Sequence, residues 1–323
     1  MAWWMLHAVA QRSHRQGDGY RPETYGFALG NFALPAGSLV ASGLPRDGIP
    51  ALTDPGALNP SALQRLGRRF LLPSDLVAGV AAGGEARAYP LRVLVFHEVA
   101  NDTLGGEPIA VVHQPLCGVV AVFSRNVGGQ TLTFANSGLL WNSCGLLFDR
   151  ESQSLWLPLA GKAVAGPRSG EALRFLPFTV TTWQRWQALY PQTTLVQPDL
   201  ERLAQYRRDP YSSYLGSDIL RFPVSPPLPA KYRRKTPLVV LFPAENPVVV
   251  ALHAGTARAE TVPLPGLSGA GMTLTPVGTP AMVEVRQRTT GELLPVLYTY
   301  SFAWYALHPE RDPSSFITVG SMP

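Results

Sequence analysis

The feature that most constrains the fold is a series of short apolar runs between residues 108 and 159. The runs cover 109–113, 119–124, 130–135, 146–149 and 154–158. They are separated by the turn-forming stretches Q-P-L-C-G, N-V-G-G, N-S-G at 136–138, N-S-C-G and R-E-S-Q. Connections this short join antiparallel strands, because a parallel crossover needs a dozen residues or more. The 31 Pro and 30 Gly of the chain also favour many turns over long helices. The sequence therefore predicts a β-rich α+β protein, with a mostly antiparallel sheet or a barrel-like core and a few short helices.

Segments on either side of these runs predict further elements. Residues 77–80 and 85–89 flank Gly83-Gly84 and predict a hairpin. The run that follows Pro90 fits a helical turn and a buried strand equally well. The patterns predict three short helices, which are 61–70 beginning at Ser61, 181–191 capped by Thr181 or Thr182 and stopped by Pro191, and one in 301–313 that closes on the sheet.

The length of 323 residues suggests one large unit or about two domains. A chain of this size buries roughly three quarters of its unfolded surface, so it folds without a disulfide or a metal. Residues 1–45 are Gly- and Pro-rich after position 20 and predict a peripheral arm. We expect a single globular domain over 46–310 and a tail over 311–323.

Charge and hydropathy restrict the partners. The net charge of +5 is modest, and the basic residues are scattered except for "KYRRK" at 231–235, which is either a solvated loop or a contact for an anionic partner. A nucleic-acid partner is not expected, since such proteins usually carry a clustered basic stripe. No window approaches the roughly 18 apolar residues of a membrane span, and the first residues lack a basic leader pattern, which favours a cytoplasmic location.

One of the two cysteines lies at the tip of a predicted hairpin, in "PIAVVHQPLCGVVAVF". His113 precedes Cys117 by four residues, and "FHEVAND" places His97, Glu98 and Asp102 at the end of another apolar run. Three interpretations stay open. Cys117, His97 and His113 can bind a metal such as copper or zinc. Cys117 can serve as a nucleophile or redox thiol beside a histidine. The cysteine can also merely pack in the core.

Three other segments carry candidate site residues, and their sequence patterns are less diagnostic. Asp149 and Arg150 end a strand and form either a turn with a surface ion pair or an anchored Arg beside an acid, base or ligand. Cys144 also lies at a predicted turn, where it is an independent buried thiol unless the two hairpins adjoin, in which case it can pair with Cys117 or share a metal. The tyrosines of "YRRDPYSSY" at 206–214 predict either a packed Pro-Tyr loop or the lining of a carbohydrate or aromatic pocket.

Seven motifs together resemble one family of bacterial and archaeal proteins, catalogued as domain of unknown function 3179. They run in matching order from about residue 42 to about residue 310, and they are "GLPRDGIPALTDP", "GEARAYPLRVLVFHEVAND", "PLCG", "SGLLWNS", "DRESQSLW", "DPYSSY" and "SFAWYALHP". The resemblance implies that the motif residues share one site; these are His97, Glu98, Asp102, Cys117, Asp149 and Arg150. Many members are similar in being exported or membrane-anchored, which implies an extracytoplasmic location.

The sequence departs from this family at the cysteine turn. Where the family usually has T-Y-C-P-L-C-G, this chain has His113 and Gln114 in place of the tyrosine and the first cysteine. A C-x-x-C dithiol is therefore not available here, and Cys144 is either a compensation or a coincidence.

Three functions follow from these residues. The first is a metal-dependent enzyme or metal-binding protein that uses copper or zinc, with Asp102 or Glu98 orienting the ligands. The second is a metal-free cysteine nucleophile or thiol-redox enzyme. The third is a non-catalytic module whose Tyr and Trp side chains contact a small-molecule ligand or a protein.

Overall fold

The short apolar runs form strands, and the protein is β-rich. A computed structural model describes residues 16–63, 70–242, 247–253, 260–263, 271–277 and 282–319. The strands of the first half are β1 (Leu39–Ala41), β2 (Leu52–Thr53), β3 (Ala57–Leu58), β4 (Leu76–Ala82), β5 (Glu85–Pro90), β6 (Val99–Leu104), β7 (Glu107–Gln114), β8 (Val119–Ser124), β9 (Asn126–Val127), β10 (Gln130–Thr131), β11 (Phe134–Trp141), β12 (Cys144–Asp149), β13 (Leu155–Leu157) and β14 (Lys162–Ala165).

Within the described ranges, the second half adds nine strands and three of the five α-helices. Its strands are β15 (Thr179–Thr182), β16 (Thr194–Val196), β17 (Pro237–Leu241), β18 (Val248–Leu252), β19 (Glu260–Pro263), β20 (Gly271–Val277), β21 (Met282–Gln287), β22 (Val296–Tyr300) and β23 (Ile317–Val319). The α-helices are α1 (Pro60–Leu63), α2 (Leu91–Leu94), α3 (Trp183–Leu189), α4 (Ser212–Leu215) and α5 (Ser301–Leu307). Short 3₁₀ turns cover Pro22–Tyr25, Ala36–Ser38, Leu200–Arg202, Gln205–Arg207 and Pro313–Ser315.

Three sheets carry most of the structure. Sheet I has eight strands in the order β2-β6-β7-β8-β22-β17-β18-β23. Sheet II has the order β1-β11-β12-β13-β14, and sheet III has the order β15-β4-β5-β16-β3. Pairing is antiparallel except at β2–β6, β5–β16 and β18–β23. The expected antiparallel sheet is confirmed, and none of the described sheets closes into a barrel.

Sheet I is buried on both faces. Ala110 and Val112 of β7 lie in a core cluster with residues of sheet II, whereas Ile109 and Val111 lie in a cluster with sheet III and with β20 and β21. This alternation follows from the two-residue period of a strand. The layer between sheets I and II contains both cysteines, Cys117 and Cys144.

The predicted local elements largely agree with the structure. β4 and β5 pair from Val77–Pro90 to Ala82–Glu85, as expected for the Gly83-Gly84 hairpin. The segment after Pro90 is the helix α2, which resolves the choice between helix and strand. The Thr182 hydroxyl accepts from the Arg185 amide and caps α3. The short helix near the C-terminal end is α5.

Two expectations need correction. Residues 136–138 form the middle of β11 rather than a turn. They make a bulge in this strand, where Gly138 has φ +79° and the register shifts between Asn136 and Leu140. A bulge of this kind needs a residue without a Cβ. The helix expected over 61–70 begins at Pro60, and the Asn59 side chain accepts from the Ala62 amide; residues 64–69 lie outside the described part.

The segments predicted to be peripheral contribute strands. β1 pairs with β11, and β23 pairs with β18. The division into an arm, one domain and a tail stays a prediction. No helix in the described ranges is long and apolar enough to cross a membrane.

Candidate functional site

The β7–β8 connection holds Cys117 in a fixed turn. Gly118 adopts φ +71°, and a Cβ there would lie 2.8 Å from ring carbons of Tyr300, so this position requires glycine. The Cys117 carbonyl accepts from the Tyr300 amide at 2.9 Å and from the Thr299 hydroxyl at 3.0 Å. These bonds attach the hairpin tip to β22 of the same sheet.

A second hairpin tip, from sheet II, presents Cys144. Asn142 and Ser143 connect β11 to β12 with φ values of +49° and +64°, the left-handed pair typical of a tight hairpin. The Asn142 side chain exchanges hydrogen bonds with the Ser225 backbone, and the Ser143 hydroxyl donates to the Phe222 carbonyl. Cys144 is therefore held at the first position of β12, fully buried.

The two thiols are neighbours in the layer between sheets I and II. The Gln114 side chain bridges the two hairpins. Its Oε1 accepts from the Cys117 thiol at 3.7 Å, and its Nε2 donates to the carbonyl of Gly145, the residue after Cys144, at 2.8 Å. Burial raises the pKa of the Cys144 thiol well above its ordinary value, and the Cys117 side chain raises it further through a hydrogen bond and its charge. Both cysteines are free and have no exposed surface.

Glu98 lies beside the Gln114 amide. A Cβ placed on Gly145 would be 2.8 Å from Gln114 Nε2 and 3.5 Å from Glu98 Oε2, so the carboxyl and the amide approach the same point. Asn136 donates to Glu98 Oε2 at 2.7 Å. Burial raises the pKa of Glu98 to about 7, although the Asn136 bond opposes the shift. The carboxyl can therefore accept or release a proton near neutral pH.

His113 lies on the other face of sheet I from Gln114, because neighbouring residues of a strand point to opposite faces. Its Nδ1 is 3.4 Å from the Val119 carbonyl, and its ring lines a cavity of about 290 Å³. Burial lowers the pKa of His113 to about 4, so the imidazole is neutral at pH 7.

His97 belongs to a different cluster. Its Nδ1 lies 2.7 Å from the Pro50 carbonyl, and its Nε2 lies 2.7 Å from the Tyr206 hydroxyl. Both ring nitrogens thus have protein partners, and burial lowers the pKa of the imidazole. The predicted set of Cys117, His97 and His113 is not assembled as a ligand shell; in the part of the chain that the structure describes, no group of three or more His, Cys, Asp or Glu side chains is placed to hold a metal ion.

Asp102 forms a buried ion pair away from the thiols. Its carboxylate accepts from Arg87 at 2.6 Å and from the Tyr89 hydroxyl at 2.7 Å. Asp102 pairs with Ile109 of β7, which lies five residues before Gln114, roughly 17 Å along the strand. This carboxylate therefore does not share a site with Cys117.

Asp149 and Arg150 also lie elsewhere. Asp149 is five residues after Cys144, roughly 17 Å along β12, and its carboxylate accepts from the Ser152 hydroxyl and the Trp156 indole. Arg150 forms a partly exposed bidentate pair with Asp47, at 2.7 and 3.2 Å. The geometry matches the interpretation as a turn with a surface ion pair. The expected single site of six residues is thus divided, and of the other five only Glu98 approaches the Gln114 side chain to which the Cys117 thiol bonds.

A segment that the sequence left ambiguous covers the Cys117 hairpin. We call residues 208–221 the cover segment. The Tyr214 hydroxyl donates to the Leu116 carbonyl at 2.6 Å. Lys235 of the "KYRRK" run donates to the carbonyls of Tyr214, Ser217 and Ile219, and its Nζ lies 3.3 Å from the centre of the Tyr214 ring. This lysine fixes the cover segment and is not a free contact for an anionic partner.

Sequence reasoning missed Gln114 and Asn136 as members of the site. Gln114 had a signal, because it replaces the cysteine that the resembled family carries in the same turn. Asn136 had none, since it was assigned to a turn and not to a strand facing Glu98.

Comparisons with known proteins agree with the resemblance seen in the sequence. A family model described as "Protein of unknown function (DUF3179)" matches residues 46–264, which is more than half of the chain. No curated protein matches the chain, and no solved structure matches it. The matched range contains both cysteines, Glu98 and the cover segment. The chain belongs to the DUF3179 family of proteins of unknown function.

Proposed function

We propose that this protein is a thiol-redox protein in which Cys117 and Cys144 interconvert between a dithiol and a disulfide. The observation that carries the proposal is the pair of Gln114 bonds, one from the Cys117 thiol and one to the carbonyl of the residue after Cys144, which brings two buried cysteines from two hairpins of two sheets close together. A dithiol needs two sulfurs at contact distance in a stable frame. Both tips are fixed by side-chain bonds, which support such a frame.

The co-reactant is a disulfide compound, RSSR. The Cys117 thiol loses a proton, its sulfur attacks one sulfur of RSSR, and one RS⁻ leaves as a mixed disulfide forms. The Cys144 thiol then loses its proton and attacks the Cys117 sulfur, which releases the second RS⁻. Two thiols and RSSR thus give one protein disulfide and two RSH. The partner gains two electrons, and the two thiol protons end on the two RSH.

Cys117 is assigned as the attacking thiol and Cys144 as the resolving thiol. Burial keeps Cys144 protonated through its raised pKa, and Cys144 reacts only once a disulfide stands beside it. Glu98 is assigned as the group that takes the proton from the attacking thiol and passes it to the departing RS⁻, because its carboxyl lies beside the Gln114 amide and its pKa is about 7.

The cover segment controls access in this proposal. Both sulfurs are buried, so a disulfide compound reaches Cys117 only when the segment lifts from Leu116. A segment held by a few polar bonds opens at a lower free energy than the surrounding sheets.

A metal-binding role for Cys117 has less support than the thiol pair. Its predicted partner His97 is bonded through both nitrogens, and His113 lies on the opposite face of the strand. The hypothesis of a non-catalytic binding module concerns the cavity that His113 lines. It is compatible with the proposed thiol chemistry.

The test is a redox titration with glutathione followed by peptide mapping. The wild-type protein is equilibrated in buffers of increasing oxidised-to-reduced glutathione ratio, quenched in acid and digested without reductant. We expect one transition in which a peptide pair joined through Cys117 and Cys144 appears. Cys144→Ser should instead trap glutathione on Cys117, whereas Cys117→Ser should leave Cys144 unmodified. If the wild type stays fully reduced at every ratio, or gives glutathione adducts without the joined peptides, the proposal is wrong.

A further inference from the structure

A cavity of about 290 Å³ lies under the cover segment, on the face of sheet I opposite the thiol pair. Side chains from α2, from the β7–β8 tip and from the cover segment line it, among them Val95, Pro115 and Leu215. Its volume is close to the lower end of small-molecule sites, which begins near 300 Å³. A site of this size holds a molecule of about one ring.

The charged groups of the cavity compensate one another. Arg92 forms an ion pair with Asp75 at 2.8 Å and also donates to the Phe70 carbonyl at 3.0 Å. Arg208 and Asp209 lie next to each other in the cover segment, and both line the cavity. Two cations and two anions leave no net formal charge, because His113 is neutral at pH 7. A charged ligand would lose hydration without a matching counter-charge.

The polar groups that remain are hydroxyls and one imidazole. Burial raises the pKa of Tyr211 and of Tyr300 to about 12, so both keep their hydroxyl proton. The His113 Nδ1 faces the Val119 carbonyl at 3.4 Å, which favours the tautomer with the proton on Nδ1. Nε2 is then an acceptor, and it suits a ligand that donates an O–H.

We propose that this cavity is a binding site for a small uncharged molecule with a one-ring apolar body and a hydroxyl group. The apolar body packs against Val95, Pro115 and Leu215, and the hydroxyl bonds to His113 and the tyrosines. The site does not depend on the thiol chemistry, because its lining contains neither cysteine. It shares Tyr300 with the thiol hairpin, whose Gly118 contacts the same ring.

The experiment uses three probes of equal size and different charge, namely p-cresol, 4-methylbenzoate and 4-methylbenzylammonium. Binding to the full chain at pH 7.5 is measured by calorimetry and by ligand-observed magnetic resonance. We expect one p-cresol per chain and at least tenfold weaker binding of both ions. If none of the three binds at millimolar concentration, or if either ion binds as well as p-cresol, the proposal is overturned.

Two variants locate the site. Leu215→Trp fills the cavity and should abolish p-cresol binding, whereas Leu189→Trp places the same side chain on an exposed position of α3 and should leave it unchanged. His113→Phe keeps a ring but removes the acceptor, so p-cresol should lose its advantage over toluene. Wild-type p-cresol affinity in Leu215→Trp, or an undiminished preference over toluene in His113→Phe, contradicts the proposal. The selectivity among probes is measured on the wild type and so does not depend on whether a variant folds.

Discussion

Cys117 of sheet I and Cys144 of sheet II lie in one core cluster between the two sheets, where Gln114 bonds to the Cys117 thiol and to the carbonyl of the residue after Cys144. Each lies at the tip of a two-stranded hairpin, and each tip is held by bonds to a segment distant in sequence. The chain thus has a pair of thiols although the first cysteine of the family turn is replaced by Gln114. Gln114 retains a place in the pair, since it accepts a hydrogen bond from Cys117.

Glu98 makes the stability of the protein depend on pH. Its pKa is about 7 in the folded protein, against 4.5 for an ordinary glutamate. The stability it contributes is complete below pH 4.5 and is lost as the pH rises to about 7, because the folded state must then hold a buried anion. We expect Glu98→Gln to gain stability relative to the wild type across this window, up to a difference on the order of 3 kcal/mol above pH 7.

The measurement is urea unfolding of both proteins at pH 4.5, 6 and 8. The difference in unfolding free energy between variant and wild type isolates Glu98, because His113 is present in both proteins. Its lowered pKa makes the stability of both rise with pH, opposite to the effect of Glu98. A difference that stays constant across these pH values would contradict the buried position of the carboxyl.

Gly118 is required by the Tyr300 ring as well as by the backbone. Gly118→Ala forces a Cβ within 2.8 Å of that ring and also places Ala at φ +71°. Gly129→Ala is a matched control, since it has φ +79° and open space around the Cβ position. We expect the control to lose about 1 kcal/mol from backbone strain, and Gly118→Ala to lose about 2 kcal/mol more. Equal losses of unfolding free energy would show that the ring does not fix the turn.

Lys235 should slow access to Cys117. Lys235→Met removes a cation that bonds three carbonyls of the cover segment and lies over the Tyr214 ring. We expect alkylation of Cys117 by iodoacetamide in the folded protein to accelerate about tenfold, as for a loss of roughly 1.4 kcal/mol of opening free energy. Lys231→Met, an exposed change in the same basic run, serves as the control and should leave the rate unchanged. An unchanged rate in Lys235→Met would mean that opening does not involve this segment.

We expect Asp102 to stabilise the fold without taking part in the proposed thiol chemistry. Asp102→Asn leaves the Arg87 guanidinium without its anion in a buried site, so we expect a loss of about 3 kcal/mol of unfolding free energy. The Cys117–Cys144 redox equilibrium of the folded variant should equal that of the wild type. A shifted equilibrium in Asp102→Asn would reinstate Asp102 in the same site as Cys117.

The sequence predicts well those features that depend on neighbouring residues. The Gly83-Gly84 hairpin, the Thr182 cap of α3 and the short helix α5 all follow from patterns within a dozen residues. The extent of β11 does not follow from such a local pattern, because a bulge at Gly138 places residues typical of a turn inside the strand.

The site was harder to predict because it is built from long-range contacts. Gln114 and Glu98 approach Gly145 of β12 only after sheet I packs on sheet II, and no spacing in the sequence encodes that packing. Asp149 and Arg150 follow a strand end as catalytic residues often do, yet their partners are a local turn and Asp47. The resemblance implied one site for six motif residues, whereas the structure places them in separate clusters.

The most direct measurement of the thiol pair is the effective concentration of Cys144 toward Cys117. It is obtained from the glutathione equilibrium of the folded wild type and compared with the same protein unfolded in urea, with the Cys117–Cys144 disulfide quantified by mass spectrometry. We expect the folded protein to favour the disulfide at least a hundredfold more than the unfolded chain does, because the two hairpin tips already hold the sulfurs together. An equal or lower value in the folded protein would show that the native frame opposes the bond, and that the two cysteines are packing residues.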